Sequence, residues 1–318
     1  MSQVDSNPFK NTDSNKRYYT YDYFLKRTFG KKCAKVTLDL GFTCPNIDGK
    51  CGRGGCIYCL GGSSSRNTDG LKSPIEQYEN GIEMIKKKWD TNSFIPYLQA
   101  YTNSYTSVDN FKKILEDVSD FEGAVMINIA TRADCLEDEK INVLDSLSKK
   151  IPVTIELGLQ TSDDRVAELI NRGHSFETFK DCFYRLRRLA PNVKIAVHII
   201  NGLPTENREN MINTATCVAN LHPDIVKIHL LHVLEGTRLA QMYKNGEYTP
   251  MDRNEYISTV CDQIELLPPD VVIERLTGDG DSKYLLAPLY STKKVTIIND
   301  IDKELFKRNS YQGKRYNL

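Results

Sequence analysis

The sequence has no apolar run approaching the roughly 20 residues a membrane-spanning helix needs, which excludes a helical span. Its first stretch, MSQVDSNPFKNTDSNKRYYTYDYF, is polar and lacks the apolar core of a signal peptide, so a cytoplasmic location is expected. Net charge is also lacking: 42 basic residues balance 42 acidic ones, and no global field draws the chain onto nucleic acid or a membrane. There is no low-complexity tract, no Ser/Gly-rich linker and no internal repeat beyond an alternation of strand and helix patterns. The cysteines lack the even count of a disulfide framework. Nine of them in a long chain with no export signal point instead to metal or catalysis.

What is present is an α/β pattern. Apolar, β-branched runs at Ala34–Leu40, Phe94–Tyr101, Ala124–Ala130, Val153–Leu159, Val193–Ile200 and Ile225–Leu231 read as strands. Helical stripes lie between them. Phe176, Phe179, Phe183, Leu186 and Leu189 form one, capped by Ser175. Met211, Ile212, Ala215, Val218 and Ala219 form another, ended by His222–Pro223. This alternation predicts right-handed βαβ units and a parallel sheet closing into a barrel, or a partial (β/α)6 barrel of the TIM type. Residues 31–235 would form that barrel. Residues 1–30 would be a helical or irregular arm. Residues 236–318, with a helix from Arg253 to Leu267 and the strand VVIER, would be a C-terminal extension packed on it.

Active sites of such barrels gather at the C-terminal ends of the strands. Polar residues recur there: Thr102 and Asn103, Thr131 and Arg132, Gln160, Asn201, and His232 with Glu235. The stretch CPNIDGKCGRGGCIYC, residues 44–59, follows the first strand and so lies on that rim. Zinc would use four thiolates, usually as two C-x-x-C-like pairs, and only Cys56 and Cys59 form one. Thiolates holding an iron–sulfur cluster fit better, with glycines admitting backbone amides to the sulfides. The spacing Cys44-x11-Cys56-x2-Cys59 suggests three ligands, an iron left open for a substrate or cofactor, and Cys51 as a bystander. Cys33, Cys135, Cys182, Cys217 and Cys261 sit among apolar neighbours and read as small core residues.

Together with Tyr58 just before the last cysteine, this loop resembles that of the radical S-adenosylmethionine superfamily. The likeness extends through YLQAYTNSY, ATRADCL, IELGLQT, INRGH, HIINGLPTE, IHLLHVLEGTRLA, RLTGDG, LLAPLYSTKK and SYQGKRY. These segments resemble the YhcC/YtqA-like branch, related to the catalytic subunit of Elongator. The superfamily's commonest spacing is C-x3-C-x2-C, and the first gap here is much longer, as in this branch. The resemblance implies a [4Fe–4S] cluster on Cys44, Cys56 and Cys59. Its open iron would bind the amino and carboxylate groups of S-adenosylmethionine, and reductive cleavage would give a 5′-deoxyadenosyl radical. It implies Tyr58 against the adenine, the rim at Thr102 and Asn103 on the methionine ammonium, and Gln160 and His198 near the ribose. Arg172 would take the methionine carboxylate through paired hydrogen bonds. A reductant is also required.

Glu156, a carboxylate in an apolar strand, must be paired or protonated and is expected to point into the barrel. Arg275, Thr277 and Asp279, in RLTGDG, form a candidate substrate loop. The branch points to tRNA wobble uridine, in one version the remodelling of a carboxymethylaminomethyl side chain to an aminomethyl one. Basic groups at Lys31–Lys32, Lys86–Lys88, Arg185 with Arg187 and Arg188, Lys293–Lys294 and the terminal KRNSYQGKRY offer RNA contacts, with Tyr311 and Tyr316 to stack on bases. A radical enzyme on a small molecule or a protein, and a zinc-stabilised binding module without catalysis, are the competing readings.

Overall fold

A computed structural model describes residues 7–61, 70, 72–278, 280 and 282–316. Asp279, named above as a candidate substrate residue, lies outside the described residues. In chain order the elements are α1 (Tyr21–Phe29), β1 (Ala34–Leu38), α2 (Pro74–Lys86), β2 (Phe94–Leu98), α3 (Val108–Ser119), β3 (Ile127–Thr131), α4 (Asp138–Ser148), β4 (Val153–Gln160), α5 (Asp164–Leu169), α6 (Phe176–Leu189), β5 (Lys194–Asn201), α7 (Arg208–Leu221) and β6 (Ile225–Leu230). They continue with β7 (Val233–Leu234), α8 (Arg238–Lys244), α9 (Arg253–Leu266), β8 (Val272–Arg275), β9 (Leu285–Ala287) and α10 (Lys294–Lys307).

The helices begin where the sequence offers caps. Ser73 and Glu76 close a capping box ahead of Pro74, and the Ser175 hydroxyl accepts from Thr178 N at the start of α6. His222 in the left-handed region ends α7. Seven strands pair in the order β1-β2-β3-β4-β5-β6-β8, all parallel, and the sheet curls into a half-barrel. A small antiparallel sheet, β7 with β9, stands apart from it.

Two features differ from the expectation. VVIER does not merely pack on the barrel: β8 adds to β6 as a seventh strand, satisfying an edge of donors and acceptors that would otherwise stay open. The N-terminal arm contains α1, whose Phe24 and Leu25 pack on Cys33, Ile95, Met126, Ala196, Ile225 and Val272. Most of these residues stand at the starts of strands, so α1 plugs the bottom of the half-barrel. The main core lies between the outer sheet face and the helices. A separate apolar cluster, with Ile57, Ile170, Leu203, Leu231, Leu239 and Tyr248, backs the cysteine loop at the top.

The terminal segment is not a free basic arm. Arg308 is held by Glu304, Asp262 and Ser258, and Arg315 by Glu265. The buried Gln312 ties Tyr19 N to the carbonyls of Pro268 and Val271. These side chains buckle the C-terminus onto α9 and the N-terminal arm, with Arg315 still half exposed.

Candidate active site

The long gap between Cys44 and Cys56 has a structural cause. The chain leaves and returns as a small hairpin: Asp48 and Arg53 form an antiparallel bridge, and Gly55 N donates to Asn46 O at 2.9 Å. Cys51 is carried to the exposed part of this excursion, while Cys44 and Cys56 stay at its base. Gly54 and Gly55 take φ of +79° and +73°, where a side chain would be strained. The loop is pinned from behind, since Ile57 N donates to Ile170 O and Leu239 N to Ile57 O. The Asn46 amide reaches Cys56 Sγ at 3.7 Å and also binds Asn171 O.

A cavity of about 200 Å³ opens where this loop meets β2 to β5 on their C-terminal side. It is bounded by Cys44, Cys56, Cys59 and Tyr58 on one side and by Thr102, Arg132, Gln160, Arg172 and His174 across from them. Glu156 and His198 form its floor. Tyr101 and Gln160, at the ends of β2 and β4, both have positive φ, 57° and 68°. Non-glycine residues held there store strain, and such positions cluster at binding sites. A Cβ on Gly158 would stand 2.7 Å from Gln160 Nε2, so the glycine lets Gln160 fold back over the strand end.

The donor set is of the kind an iron–sulfur cluster takes: the thiols of Cys44, Cys56 and Cys59 all line one cavity. Burial, and then the neighbouring Cys59, push the Cys56 thiol up to about 11, so a cationic metal is what would release its proton.

Arg172 departs from the expected role. It is 2% exposed, and its guanidinium donates to the carbonyls of Leu159, Thr161 and His174 and to Asp164. Nε gives one of these bonds and each terminal nitrogen gives two, which uses all five N–H groups. None is left for a carboxylate. Arg132 keeps more capacity. Nε and Nη2 grip Asp134 at 2.9 and 2.7 Å, Nη1 donates to Arg172 O, and two N–H groups remain. Asn103 does not line the cavity. Its amide nitrogen is shared between the Leu98 and Ala130 carbonyls, both at 2.9 Å, and so braces the ends of β2 and β3. Burial and the adjacent Arg172 lower His174 to about 4, so its ring is neutral.

Under the cavity lies a polar layer that only Glu156 and His198 announced in the sequence. Glu156 Oε1 accepts from Lys35 (3.0 Å) and Asn128 (2.8 Å); Oε2 accepts from Tyr97 (2.6 Å), Lys227 and His198 Nε2 (3.0 Å). Glu274 completes the set by binding Lys35 and Lys227. Each strand of the main sheet thus supplies one side chain. Burial alone would raise Glu156, but Lys227, Lys35 and His198 together hold it well below the usual carboxylate range. Burial, then Lys227, keeps His198 below its ordinary value and neutral, against the pull of Glu156. Arg275 and Thr277 lie elsewhere, along a groove at the open seam between β1 and β8. Sequence reasoning passed over Tyr101, His174, Lys35, Tyr97, Asn128, Lys227 and Glu274. The available signal was one polar residue inside nearly every apolar strand.

A parallel half-barrel with a four-cysteine loop on its C-terminal rim defines a class of α/β-barrel proteins with a thiol-lined site. Residues 47–218 match the Radical SAM superfamily and residues 223–307 its Radical_SAM C-terminal domain, and the chain belongs to this family, whose cofactors are a [4Fe–4S] cluster and S-adenosylmethionine. The uncharacterized protein YtqA of Bacillus subtilis (strain 168) is 39% identical over 315 residues, which take in 98% of this chain and 96% of that one. The tRNA uridine(34) acetyltransferase of Methanocaldococcus jannaschii is 28% identical over 72% of this chain and 49% of its own length. Among solved structures, the archaeal Elp3 of Methanocaldococcus infernus, lacking its N-terminus, superposes with a TM-score of 0.67 at 20% identity, over 88% of this chain and 64% of that one. At that identity the likeness is one of fold. No helix among the described residues is long and apolar enough to cross a membrane.

Proposed function

We propose that this radical SAM enzyme modifies wobble uridine in tRNA, converting a carboxymethylaminomethyl side chain to an aminomethyl one. The observation that carries the tRNA reading is the sequence match to a tRNA uridine(34) acetyltransferase across 72% of the chain. The fold shared with Elp3 agrees with it. The carbon–hydrogen bond concerned, on the methylene between amine and carboxylate, is not acidic, which suits radical chemistry: loss of its hydrogen atom, then of one electron back to the cluster and of the amine proton, would give an imine that water splits into the aminomethyl product and glyoxylate.

In this reading Cys44, Cys56 and Cys59 hold the cluster, and Cys51 does not. Held there, a [4Fe–4S] cluster would supply the electron for reductive cleavage of S-adenosylmethionine. The chain's own residues bind, orient and exclude water. Tyr58 would pack on the adenine, Thr102 and Gln160 would offer polar groups to the methionine and ribose moieties, and Arg132, with two N–H groups to spare, would take the carboxylate. Arg172 fixes the turn that carries His174. Glu156 and His198 form the dry, hydrogen-bonded floor.

Two experiments test this. Anaerobic reconstitution of Cys44→Ala, Cys51→Ala, Cys56→Ala and Cys59→Ala should leave iron and 5′-deoxyadenosine formation only in the Cys51 variant, and loss there would overturn the ligand assignment. Nucleosides of bulk tRNA from cells with and without the gene should differ at wobble uridine. Identical profiles would refute the tRNA substrate while leaving the cluster assignment standing.

A further inference from the structure

The sequence contains five basic groups, and in two of them arginines pair with the fold's own acids. Arg185 is bound to Asp181 and Asp138, and Arg187 to Asp224. The C-terminal arginines are held by α9 and α10, as described above. From the other three groups, far apart in the chain, Lys32, Lys294 and Trp89, the neighbour of residues 86–88, come to one place. A groove of about 450 Å³ runs along the seam of the half-barrel, and Lys32, Trp89 and Lys294 line it together with Tyr21, Lys35 and Arg275. Trp89 directly follows the exposed lysines 86–88, and Lys293 and Lys294 open α10.

Trp89 is the only tryptophan in the sequence and is 47% exposed. A side chain of this size is normally a major contributor to core burial. Here its ring lies open beside a cation, with Lys32 Nζ 4.8 Å from its centroid. The acids in the groove are already matched: Asp22 pairs with Lys26 and Lys32, and Glu274 with Lys35 and Lys227. Lysines around an open aromatic face are the features that hold single-stranded nucleic acid, cations on phosphates and a ring under a base. The inner wall of the groove is also informative. Lys35 and Glu274 line it, and Lys35 is bonded to Glu156, which lines the candidate cofactor cavity. One layer of ion pairs separates the two spaces.

We propose that this seam groove is an RNA-docking surface in which Trp89 stacks on a base of the tRNA anticodon loop and Lys32 and Lys294 contact its phosphates. The proposal rests on the tRNA reading above. An acidic protein partner would use the lysines but would have little need of the open indole.

The test uses the full-length, cluster-loaded protein and measures binding of unmodified tRNA by fluorescence anisotropy across a salt series. Iron content and thermal melting serve as controls for folding. Trp89→Ala should weaken binding about five- to a hundredfold without changing the salt slope, and Trp89→Phe should recover most of it. The double variant Lys32→Ala/Lys294→Ala should lower the magnitude of the log–log salt slope by about two. If the wild type binds tRNA and all variants bind it equally well with the same slope, the groove is not the docking surface and the tRNA reading survives. If the wild type does not bind tRNA, both fall.

Discussion

Arg172 shows how far one side chain can lie from the role its residue type suggests. A guanidinium near the end of a short helix, facing a cavity that takes an amino acid moiety, invites assignment as a carboxylate ligand. In the fold its five donors are all consumed by the chain itself, chiefly by carbonyls at the end of β4 and at His174. Nothing in a sequence tells a buried clamp from an exposed ligand, because both need the same cation. The clamp makes a distinct prediction. Arg172→Lys keeps the charge but cannot satisfy carbonyls in several directions, so it should lower stability by about 2–4 kcal/mol in urea unfolding of the apoprotein. A carboxylate ligand alone would leave the apoprotein unchanged.

Glu206 carries a second prediction at this scale. It follows β5, its carboxylate accepts from Leu203 N at 3.3 Å, and burial raises it to about 7. Its neutral form is therefore favoured in the folded state. The folded chain binds a proton that the unfolded chain releases above about 4.5, so its contribution is full below that pH and falls as pH rises through 7. The loss amounts to about 3 kcal/mol by pH 7. Glu206→Gln should remove this part of the slope in unfolding measurements between pH 4.5 and 8. An unaltered slope would show that Glu206 stays ionised.

At the scale of elements, the sequence was legible wherever a local rule acts. The start of α6 follows from Ser175 and the end of α7 from His222–Pro223, and the six expected strands all form, with ends displaced by up to three residues. What could not be read was where an element docks. VVIER has the composition of any strand, and only the open edge of β6 decides that it joins the main sheet. Nor does anything in YDYFLKRTF say that its apolar side will plug a barrel, since α1 precedes the strands it closes. The plug can be weighed. Phe24 is 8% exposed and packs among strand starts, so Phe24→Ala should cost about 3–5 kcal/mol by the usual sum of lost transfer energy and residual cavity. A cost under 1 kcal/mol in chemical unfolding would mean that α1 rests on the barrel without closing it.

At the scale of the whole molecule, the polar layer explains why nearly every buried strand carries one residue that looks misplaced. Lys35, Asn128, Glu156, His198, Lys227 and Glu274 each read as an exception in an apolar run. Seen strand by strand, a period of two assigns each to a face but not to a level, and only the register and stagger of the half-barrel bring them together. Two lysines and two glutamates then balance, with the neutral His198, Tyr97 and Asn128 filling the remaining hydrogen bonds. Such a set is costly to bury and costlier to break, because removing one partner strands the others. Glu156→Gln retains the shape but leaves Lys35 and Lys227 with Glu274 alone. It should destabilise the protein by about 3–5 kcal/mol at pH 7. Because the folded Glu156 titrates well below its unfolded value, its contribution is complete above about 4.5 and disappears as pH falls through the folded value. The difference between wild type and variant should therefore be level from pH 7 to about 5 and shrink only in stronger acid. A variant as stable as the wild type at pH 7 would mean that the two lysines do not depend on Glu156 for their charge. The layer would then be held by Glu274 and by packing against Tyr97, whose ring has Lys35 Nζ 4.6 Å and Lys227 Nζ 4.8 Å from its centroid.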